Sequence, residues 1–345
     1  MELLEPGRDR PRPRGSGAAH ARARYRPAVQ FAQLGPLRVS RVGLGCNNFG
    51  GRLDLGRTRL VVDAALDAGI TFLDTADIYG GRSGPSRYGN TGGSERFLGA
   101  VLLGRRERVV LATKFGHDMG DGSTARGAPA YVHAAVEASL KRLETDQVDL
   151  LYYHAPDGIT PIAETLGAMA ELVAAGKVRA LGVSNVTLEQ LNEAAQAAPI
   201  AALQNEYSLL ERGAEREVLP RCRELGIGFV PYYPLAGGLL TGKYRRGAPP
   251  PDDARWGGGG PLTAETWVSR GVSAAPATFD AIEELEEAAR AHGRTLLELS
   301  VAAVASQPGV ASVIAGATSP EQVRANAAAG AWELTPEELA RLPHR

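Results

Sequence analysis

The chain has 345 residues, of which 44% are hydrophobic and 22% charged, and its formal net charge at pH 7 is -1. This composition is that of a globular protein and excludes a largely disordered chain, while the small net charge offers no general field for nucleic acid or an anionic membrane. Two cysteines, Cys46 and Cys222, are too few for a disulfide framework or a thiolate metal site and favour a reducing cytoplasm. No apolar run approaches the roughly 18 residues that span a bilayer.

The first 28 residues differ in composition from the rest of the chain. They alternate Arg with Pro, Gly and Ala, as in RDRPRPRGSGAAHARAR, and they lack the apolar stretch of a secretory signal. We therefore expect residues 1–28 to be a disordered Arg/Pro-rich tail and residues 29–345 to form a single domain. A docking tail for an acidic partner is the alternative interpretation.

The remaining chain begins with a predicted hairpin in QFAQLGPLRVS and continues as short β-rich runs that alternate with amphipathic helical patterns. Several of these patterns, such as RTRLVVDAALDAG, end at a glycine suited to a left-handed helix cap. Eight parallel strands with crossover helices close into a barrel, so we predict an α/β fold of the (β/α)8 TIM-barrel type. The predicted strands are Arg41–Gly45, Ile70–Asp74, Arg108–Thr113, Val148–Tyr153, Val178–Val183, Ile200–Gln204, Gly228–Pro231 and Ser312–Ala315.

Two connections are too long and too rich in Gly and Pro for ordinary turns. One follows Tyr79 and reads GGRSGPSRYGNTGG, and the other runs from Gly242 to about Ala277. Long structureless loops in compact domains are usually functional or mobile. We expect both to lie over the carboxyl-terminal face of the barrel and to shape substrate access.

Three predicted strands end at an ionisable residue. Asp74 ends the second strand, Lys114 follows the third and His154 follows the fourth, while Tyr79 begins the loop after Asp74. Because the carboxyl ends of barrel strands meet at one rim, the four side chains can converge there. Taken singly, such residues are more often helix caps, surface charges or packing residues. Their convergence is what suggests catalysis.

The four side chains suit proton transfer to a carbonyl oxygen while hydride arrives at its carbon. A free phenol titrates near about pH 10, so a neighbouring positive charge on Lys114 is expected to favour phenolate. Asp74 would hold the ammonium by a charge-assisted hydrogen bond. His154 would hydrogen-bond the substrate oxygen or help relay the proton. The alternative is that His154 is a structural residue, which forms hydrogen bonds with its neighbours and has no catalytic role.

Seven segments in order resemble the aldo-keto reductase superfamily: FLDTADIYGG, ATKFG, LLYYHAPD, GKVRALGVSN, LQNEYSLL, YYPLAGGLLTGKY and IAGATSPEQVRAN. The likeness runs from about Gln30 to Leu342. It implies an NADP(H)-linked reductase with a catalytic tetrad at Asp74, Tyr79, Lys114 and His154.

The resemblance also implies where the nucleotide would bind. Ser184, Asn185 and Gln204 would hydrogen-bond the nicotinamide carboxamide, Tyr232 would stack on the ring, and Cys46 and Asn47 would line the pocket with Asn48 and Phe49. The pyrophosphate and adenosine would be held by residues of the last two barrel loops. These are Tyr233, Pro234, Leu235, Ala236, Gly237, Lys243, Gly316, Thr318, Gln322 and Asn326.

The chain departs from the family at the adenosine end. Relatives often carry Lys or Arg near Gly316, Thr318 or Gln322 to bind the 2′-phosphate, and this chain has neither there. Lys243, Arg255 or Arg324 would have to supply that charge. NADPH is therefore the favoured cofactor, with NADH as the alternative.

Two possible phosphate-binding motifs each lack a required residue, and the sequence contains no metal-binding motif. GLGCNNFGG has Asn48 where the Rossmann fingerprint needs its third glycine, and GGLLTGKY has Tyr244 where a P-loop needs Ser or Thr. No H-E-x-x-H or paired Cys motif offers a metal site.

The sequence therefore predicts a cytoplasmic enzyme that reduces an aldehyde or ketone, with Tyr79 as general acid and a small-molecule carbonyl compound as its partner. A keto-sugar or nucleotide-sugar is a subsidiary substrate hypothesis. The alternatives are a nucleotide-binding regulatory subunit of the potassium-channel β-subunit type with little turnover, and a barrel lyase or aldolase that uses Lys114 as a Schiff-base nucleophile.

Overall fold

A computed structural model describes residues 29–80, 91–249, 251, 268–269, 272–273 and 275–343. The predicted tail, residues 81–90 of the first long loop and Arg255 of the second lie outside the described residues. Within the described residues, no helix is long and apolar enough to cross a membrane.

The predicted N-terminal hairpin is present. Strands β1 (Phe31–Leu34) and β2 (Leu37–Ser40) pair antiparallel, and Gly35 turns the chain at φ 56°. Leu34, Leu37 and Val39 are buried in one cluster with residues from the barrel interior. The hairpin therefore closes the amino-terminal end of the barrel.

Eight parallel strands form one sheet, which confirms the predicted barrel fold. In sheet order they run β12, β3, β4, β5, β6, β7, β8, β9. Their bounds are β3 Val42–Gly45, β4 Phe72–Asp74, β5 Val110–Phe115, β6 Val148–Tyr153, β7 Val178–Ser184, β8 Ile200–Gln204, β9 Gly228–Phe229 and β12 Val313–Gly316.

The barrel closes between β9 and β12 through a short seam. The amide of Phe229 donates to Gly309 O at 2.9 Å, that of Ala311 to Phe229 O at 2.8 Å, and that of Ile314 to Pro231 O at 3.0 Å. Strand β9 has only two residues, although the sequence predicts it as far as Pro231. Val230 N donates to Leu203 O of β8, and the backbone groups of the next residue point to the opposite side, toward β12. That next residue is Pro231, which has no N–H to donate across the seam.

Ten α-helices in the described residues surround or flank the sheet. They are α1 Leu55–Ala68, α2 Gly93–Leu102, α3 Pro129–Leu143, α4 Ile162–Ala174, α5 Leu188–Ala197, α6 Val218–Leu225, α7 Pro276–Ala291, α8 Leu296–Ser306, α9 Pro320–Ala329 and α10 Pro336–Ala340. Side chains of Asp54, Thr187 and Ser319 cap the first turns of α1, α5 and α9, as short polar residues do. Gly69 ends α1 in the left-handed conformation that the sequence suggests.

Part of the second long connection forms secondary structure that the sequence analysis did not predict. Between β9 and β12 the chain forms two helices, α7 and α8, and a small antiparallel pair, β10 (Val268–Ser269) with β11 (Val272–Ser273). The pair lies within the stretch from Gly242 to Ala277 that the sequence analysis treats as structureless. Two-residue strands carry too little pattern to be recognised in a Gly/Pro-rich segment.

Candidate active site

The inward-facing positions of the strands change from apolar to polar at the carboxyl end of the barrel. Phe72, Ala112 and Ala202 belong to the interior cluster of the barrel. Because side chains alternate along a strand, the residues two positions further also face inward. These are Asp74, Lys114 and Gln204, and all three are buried.

The side chains of Lys114 and Asp74 form a buried ion pair. Lys114 Nζ donates to Asp74 Oδ1 at 2.5 Å, and the two side chains are 0% and 3% exposed. Thr75 O accepts a second hydrogen bond from Nζ at 2.8 Å, and Gln204 Nε2 donates to the other carboxylate oxygen of Asp74 at 2.9 Å. The pair is thus held from both sides, which a buried charge requires.

Tyr79 lies against this ion pair. Lys114 Nζ is 3.5 Å from the Tyr79 hydroxyl oxygen and 4.9 Å from the centre of its ring. Burial alone would lower the pKa of Lys114, but the carboxylate of Asp74 and the hydroxyl of Tyr79 outweigh it and raise the pKa above its ordinary value of 10.5. The lysine therefore remains an ammonium ion.

Lys114 was expected to favour the phenolate form of Tyr79, but the pKa of Tyr79 is shifted upward. Burial raises the pKa of the hydroxyl above its ordinary value of 10.0, and the ammonium of Lys114 offsets only part of that rise, because Asp74 opposes it. Tyr79 consequently keeps its proton at neutral pH. A protonated phenol is the form that can donate a proton to a developing alkoxide.

His154 faces Tyr79 across the barrel mouth. Its backbone amide donates to Phe115 O at 2.8 Å, and Asn185 Nδ2 donates to its carbonyl oxygen at 2.8 Å. The imidazole is edge-on to the Tyr79 ring, with centroids 5.8 Å apart. On another side it contacts the imidazole of His117 at a centroid distance of 4.0 Å, a neighbour that the sequence analysis missed.

Ser94, at the start of α2, fixes the loop that carries Tyr79. Its amide donates to Tyr79 O at 3.1 Å, while its hydroxyl lies 2.8 Å from Thr75 Oγ1 and donates to Cys46 O at 2.9 Å. The next residue, Glu95, is fully buried. The first turn of α2 therefore connects the tyrosine loop to the ends of β3 and β4, a role with no sequence signal that we recognised.

A cavity of about 310 Å³ opens from these residues across the carboxyl-terminal face of the barrel. This volume lies at the small end of the range of about 300–1,000 Å³ that is usual for ligand pockets. Its wall includes Asp74, Tyr79 and His154. It also includes fourteen of the predicted nucleotide-binding residues: Asn47, Ser184, Asn185, Gln204, Tyr232, Tyr233, Pro234, Leu235, Gly237, Lys243, Gly316, Thr318, Gln322 and Asn326.

Two predicted nucleotide-binding residues do not line this cavity. Cys46 is fully buried in the core between the strands and helices, where desolvation raises the pKa of its thiol well above the ordinary value. Ala236 belongs to a second core cluster beneath its loop. In both cases the side chain packs into the core rather than toward the barrel mouth.

The side-chain amide of Asn185 forms hydrogen bonds with other residues of the site. Its Oδ1 accepts from the Tyr232 hydroxyl at 2.7 Å, and its Nδ2 donates to Ser184 Oγ at 3.1 Å. Asn185 and Tyr233 both have positive φ, at 56° and 55°. Such strained backbone persists only where the surroundings hold it, and it is often found at ligand sites.

The loop after β9 lines the same cavity through Leu235, Gly237, Gly238 and Thr241. It makes a short 3₁₀ turn, Ala236–Thr241, in which Gly237 and Gly238 have φ of 66° and 110°. Left-handed residues in a tight turn can form a concave anion-binding nest. Lys243 follows this turn and also lines the cavity.

The donors of the cavity wall fit a dinucleotide. They combine neutral amides and hydroxyls, a tyrosine ring at Tyr232, a glycine turn and two cations, Lys243 and Arg52. Arg52 was not expected at the site. It lies seven residues beyond the end of β3, where neither strand nor helix periodicity indicates a direction for its side chain.

The described residues bear on two further kinds of chemistry, a metal site and a Schiff base. They contain no group of three His, Cys, Asp or Glu side chains that could hold a metal ion. A Schiff-base lysine must react as a free amine, whereas Lys114 is buried as an ammonium ion in contact with Asp74.

Comparisons with known proteins agree with this geometry. A model of the aldo/keto reductase family matches residues 41–344. The curated aldo-keto reductase YhdN of Bacillus subtilis (strain 168) is 35% identical over 311 residues, which is 88% of each chain.

Two solved structures resemble the chain over most of its length. The glycerol dehydrogenase AKR11B4 of Gluconobacter oxydans aligns with a TM-score of 0.75 and 28% identity, covering 91% of this chain and 94% of that one. The holo form of the aldo-keto reductase AKR11C1 of Bacillus halodurans aligns with a TM-score of 0.73 and 31% identity, covering 91% and 95%. Because the family model and the curated relative both span most of the chain, the protein belongs to the aldo/keto reductase family of oxidoreductases.

Proposed function

We propose that the protein reduces aldehydes or ketones to alcohols with NADPH, and that Tyr79 is the general acid. The observation that carries this proposal is the contact of the Tyr79 hydroxyl with the buried ammonium of Lys114, at 3.5 Å, on the wall of the cavity. When bound, the reduced nicotinamide supplies the hydride. Tyr79 supplies the proton to the carbonyl oxygen.

The other residues of the tetrad prepare this proton transfer. Asp74 keeps Lys114 charged and aimed through the 2.5 Å hydrogen bond. Lys114, which is fully buried, stabilises negative charge as it develops on Tyr79 Oη, and such an interaction is stronger from a buried charge than from one in water. His154, which lines the cavity, orients the substrate oxygen toward Tyr79.

Protein groups that would hold the nucleotide lie along the same cavity. Ser184, Asn185 and Gln204 would bind the carboxamide, Tyr232 would stack on the ring, and Lys243 with the glycine turn would contact the pyrophosphate. Gly316, Thr318, Gln322 and Asn326 would contact the adenosine. We propose a cytoplasmic location, since Cys46 and Cys222 are both free and buried.

Replacement of one hydroxyl tests the assignment. We expect Tyr79→Phe to lower kcat/KM for carbonyl reduction by about 10²–10⁴-fold, the usual contribution of a general acid, and to leave the Kd for NADPH unchanged. Tyr131→Phe, on α3 and outside the cavity, is the matched control. Full turnover by Tyr79→Phe would refute the role of the hydroxyl.

The same assay separates the enzyme from the regulatory-subunit alternative. Tight NADPH binding with negligible turnover across an aldehyde and ketone panel, together with a stable protein partner, would favour that alternative. Steady turnover excludes it.

Within the carbonyl substrates we propose a hydroxylated compound such as a keto-sugar or nucleotide-sugar. One structural neighbour is named a glycerol dehydrogenase, and glycerol is a small polyol. We expect such sugars to exceed simple aromatic aldehydes in kcat/KM. The reverse order would rule out this substrate class and leave carbonyl reduction intact.

A further inference from the structure

A second tyrosine lies inside the barrel, one layer below the tetrad. Tyr152 is on β6, two residues before His154, so its side chain points to the same inward side of the strand. It is fully buried and belongs to the interior cluster that includes Leu150 and Ala202. It does not line the cavity. The proposed reaction therefore leaves this buried phenol without a role.

The ring of Tyr152 lies beside the buried ion pair. Strands β5 and β6 pair in a register that sets Lys114 against Tyr152. Lys114 Nζ is 5.9 Å from the centre of the Tyr152 ring, just inside the limit of about 6 Å at which an aromatic face attracts a cation. The ring of Tyr79 is 4.9 Å from the same nitrogen. The ammonium thus lies within reach of two aromatic rings.

The hydroxyl of Tyr152 forms no hydrogen bond with the residues that the structure describes. Burial raises its pKa well above the ordinary value of 10.0, and the carboxylate of Asp74 raises it further. The side-chain amide of Gln204 acts in the opposite direction, but it lies outside hydrogen-bond geometry. The hydroxyl is therefore neutral, and the part of Tyr152 that can stabilise the ammonium is the ring.

A glycine on the next strand makes room for this ring. Tyr152 pairs with Gly182 of β7. A Cβ at Gly182 would lie 2.5 Å from both Cδ1 and Cε1 of Tyr152, much closer than ordinary contacts, and 3.0 Å from Ala202 O. The ring thus packs directly over the backbone of β7, in space that another side chain would fill. Lys114 and the ring are therefore held together by neighbouring strands of the barrel.

We propose that Tyr152 is a positioning residue whose aromatic ring, packed over Gly182, holds the ammonium of Lys114 in place for proton donation by Tyr79. The inference rests on the proposed function, because it requires Tyr79 to be the acid. An ammonium is attracted to the negative face of an aromatic ring, and more strongly where water is excluded. Tyr152 acts through Lys114 and does not touch the substrate.

The test varies the electron density of the ring with little change in its shape. Tyr152→Phe keeps the ring and removes the hydroxyl. Phenylalanines with one, two or three ring fluorines are then placed at position 152 by amber suppression, since fluorine withdraws electron density from the ring face and weakens its attraction for a cation. Two further variants, Tyr152→Met and Tyr152→Leu, have no ring.

The rate of NADPH oxidation is measured by single-turnover stopped flow, which separates chemistry from product release. The carbonyl probe is p-nitrobenzaldehyde or dihydroxyacetone, whichever the wild type reduces faster. We expect Tyr152→Phe to retain about half or more of the wild-type rate, and the fluorinated series to slow stepwise. The variants without a ring should be slower by about tenfold, with the Kd for NADPH changed by less than about twofold.

Leu150→Val is the control for packing. Leu150 belongs to the same interior cluster but lies two residues further from the ion pair along β6. The substitution should lower the thermal unfolding temperature and leave the single-turnover rate unchanged. Thermal unfolding of every other variant establishes that it is folded.

The outcomes distinguish this inference from the proposed function. One rate across the fluorinated series, or wild-type rates without a ring, overturns the inference. Equal losses in Tyr152→Phe and Tyr152→Met would assign the effect to the hydroxyl and also overturn it. A wild type that oxidises NADPH with neither carbonyl probe, or a Tyr79→Phe protein with the full rate, overturns the proposed function itself.

Discussion

Tyr79 retains its proton because two opposing effects act on its hydroxyl. Burial raises the pKa, and the ammonium of Lys114 lowers it by less. The contact of 3.5 Å between the two groups is long for a hydrogen bond, which limits the stabilisation of phenolate. The site is therefore set for donating a proton, the direction needed for carbonyl reduction.

This balance predicts a pH profile without an alkaline decline from Tyr79 in the neutral range. The reductive reaction needs the protonated phenol, and that form persists until the pH passes the raised pKa, above the ordinary value of 10.0. We expect kcat/KM for carbonyl reduction to show no loss from this group between about pH 7 and pH 10.

The measurement is kcat/KM against pH, with enzyme stability checked at each value. A decline centred about two units below the ordinary phenol pKa, and absent from the residual activity of Tyr79→Phe, would contradict the expected direction.

At this scale the sequence predicts the positions of polar residues better than their electrostatics. Asp74 and Lys114 were predicted from their places at the carboxyl ends of strands, and Gln204 from the family resemblance. The pKa of Tyr79 does not follow, since it depends on how completely the folded chain covers the hydroxyl. Arg52 was missed for a related reason, because the path of a turn determines which cavity its side chain reaches.

Helices α2 and α3 approach each other through a glycine. A Cβ on Gly99 would lie 2.8 Å from Arg142 O and 2.9 Å from the carbonyl carbon of Leu143, closer than ordinary contacts. Glu95 on α2 also accepts from Arg142 Nε at 2.7 Å. The close approach of the two helices allows the buried carboxylate of Glu95 to contact the guanidinium of Arg142.

This contact predicts opposite effects for two Gly→Ala substitutions in helices. Gly99→Ala should lower the free energy of unfolding by about 1–3 kcal/mol, because the methyl group meets backbone atoms that cannot move aside cheaply. Gly167→Ala on α4 has no atom within 4 Å of the new Cβ and should raise it by about 0.5–1 kcal/mol.

Urea unfolding followed by circular dichroism measures both values. Equal stabilisation by the two substitutions would mean that the helices separate at little cost and that Gly99 has only the ordinary glycine effect.

Element bounds could be predicted where the pattern is long and regular. Val148–Tyr153 and Ile200–Gln204 were predicted with their observed bounds. Strand β9 was predicted two residues longer than its assigned bounds, although Val230 N and Pro231 O still form hydrogen bonds with the neighbouring strands.

At the scale of the molecule, the two ends of the barrel have different roles. The hairpin of β1 and β2 fills the amino-terminal end with apolar side chains, and the cavity occupies the carboxyl-terminal end. The fold class was predictable because eight alternating units allow few other arrangements. The shape of the cavity was not, since loops form most of its wall.

The closing seam between β9 and β12 lies directly beneath that cavity. Tyr232 follows one strand of the seam and Gly316 ends the other, and both line the wall. A nucleotide that contacts both Tyr232 and Gly316 would bridge the two strands of the seam. We therefore expect local opening of the barrel to begin at this seam, where few hydrogen bonds resist it.

Amide hydrogen exchange can detect such opening. In the free protein the amides of Phe229, Ala311 and Ile314 should exchange faster than those in the longer ladder between β6 and β7. Saturating nucleotide should slow the seam amides more than the others, because a ligand stabilises the closed form to which it binds. A uniform change around the barrel would contradict this.

The seam lacks one hydrogen bond because Pro231 has no N–H, and this lack bears on the apparent Kd for the nucleotide. If only the closed barrel binds the nucleotide, a substitution that raises the population of the closed barrel also lowers the apparent Kd, even where the substituted residue does not contact the ligand.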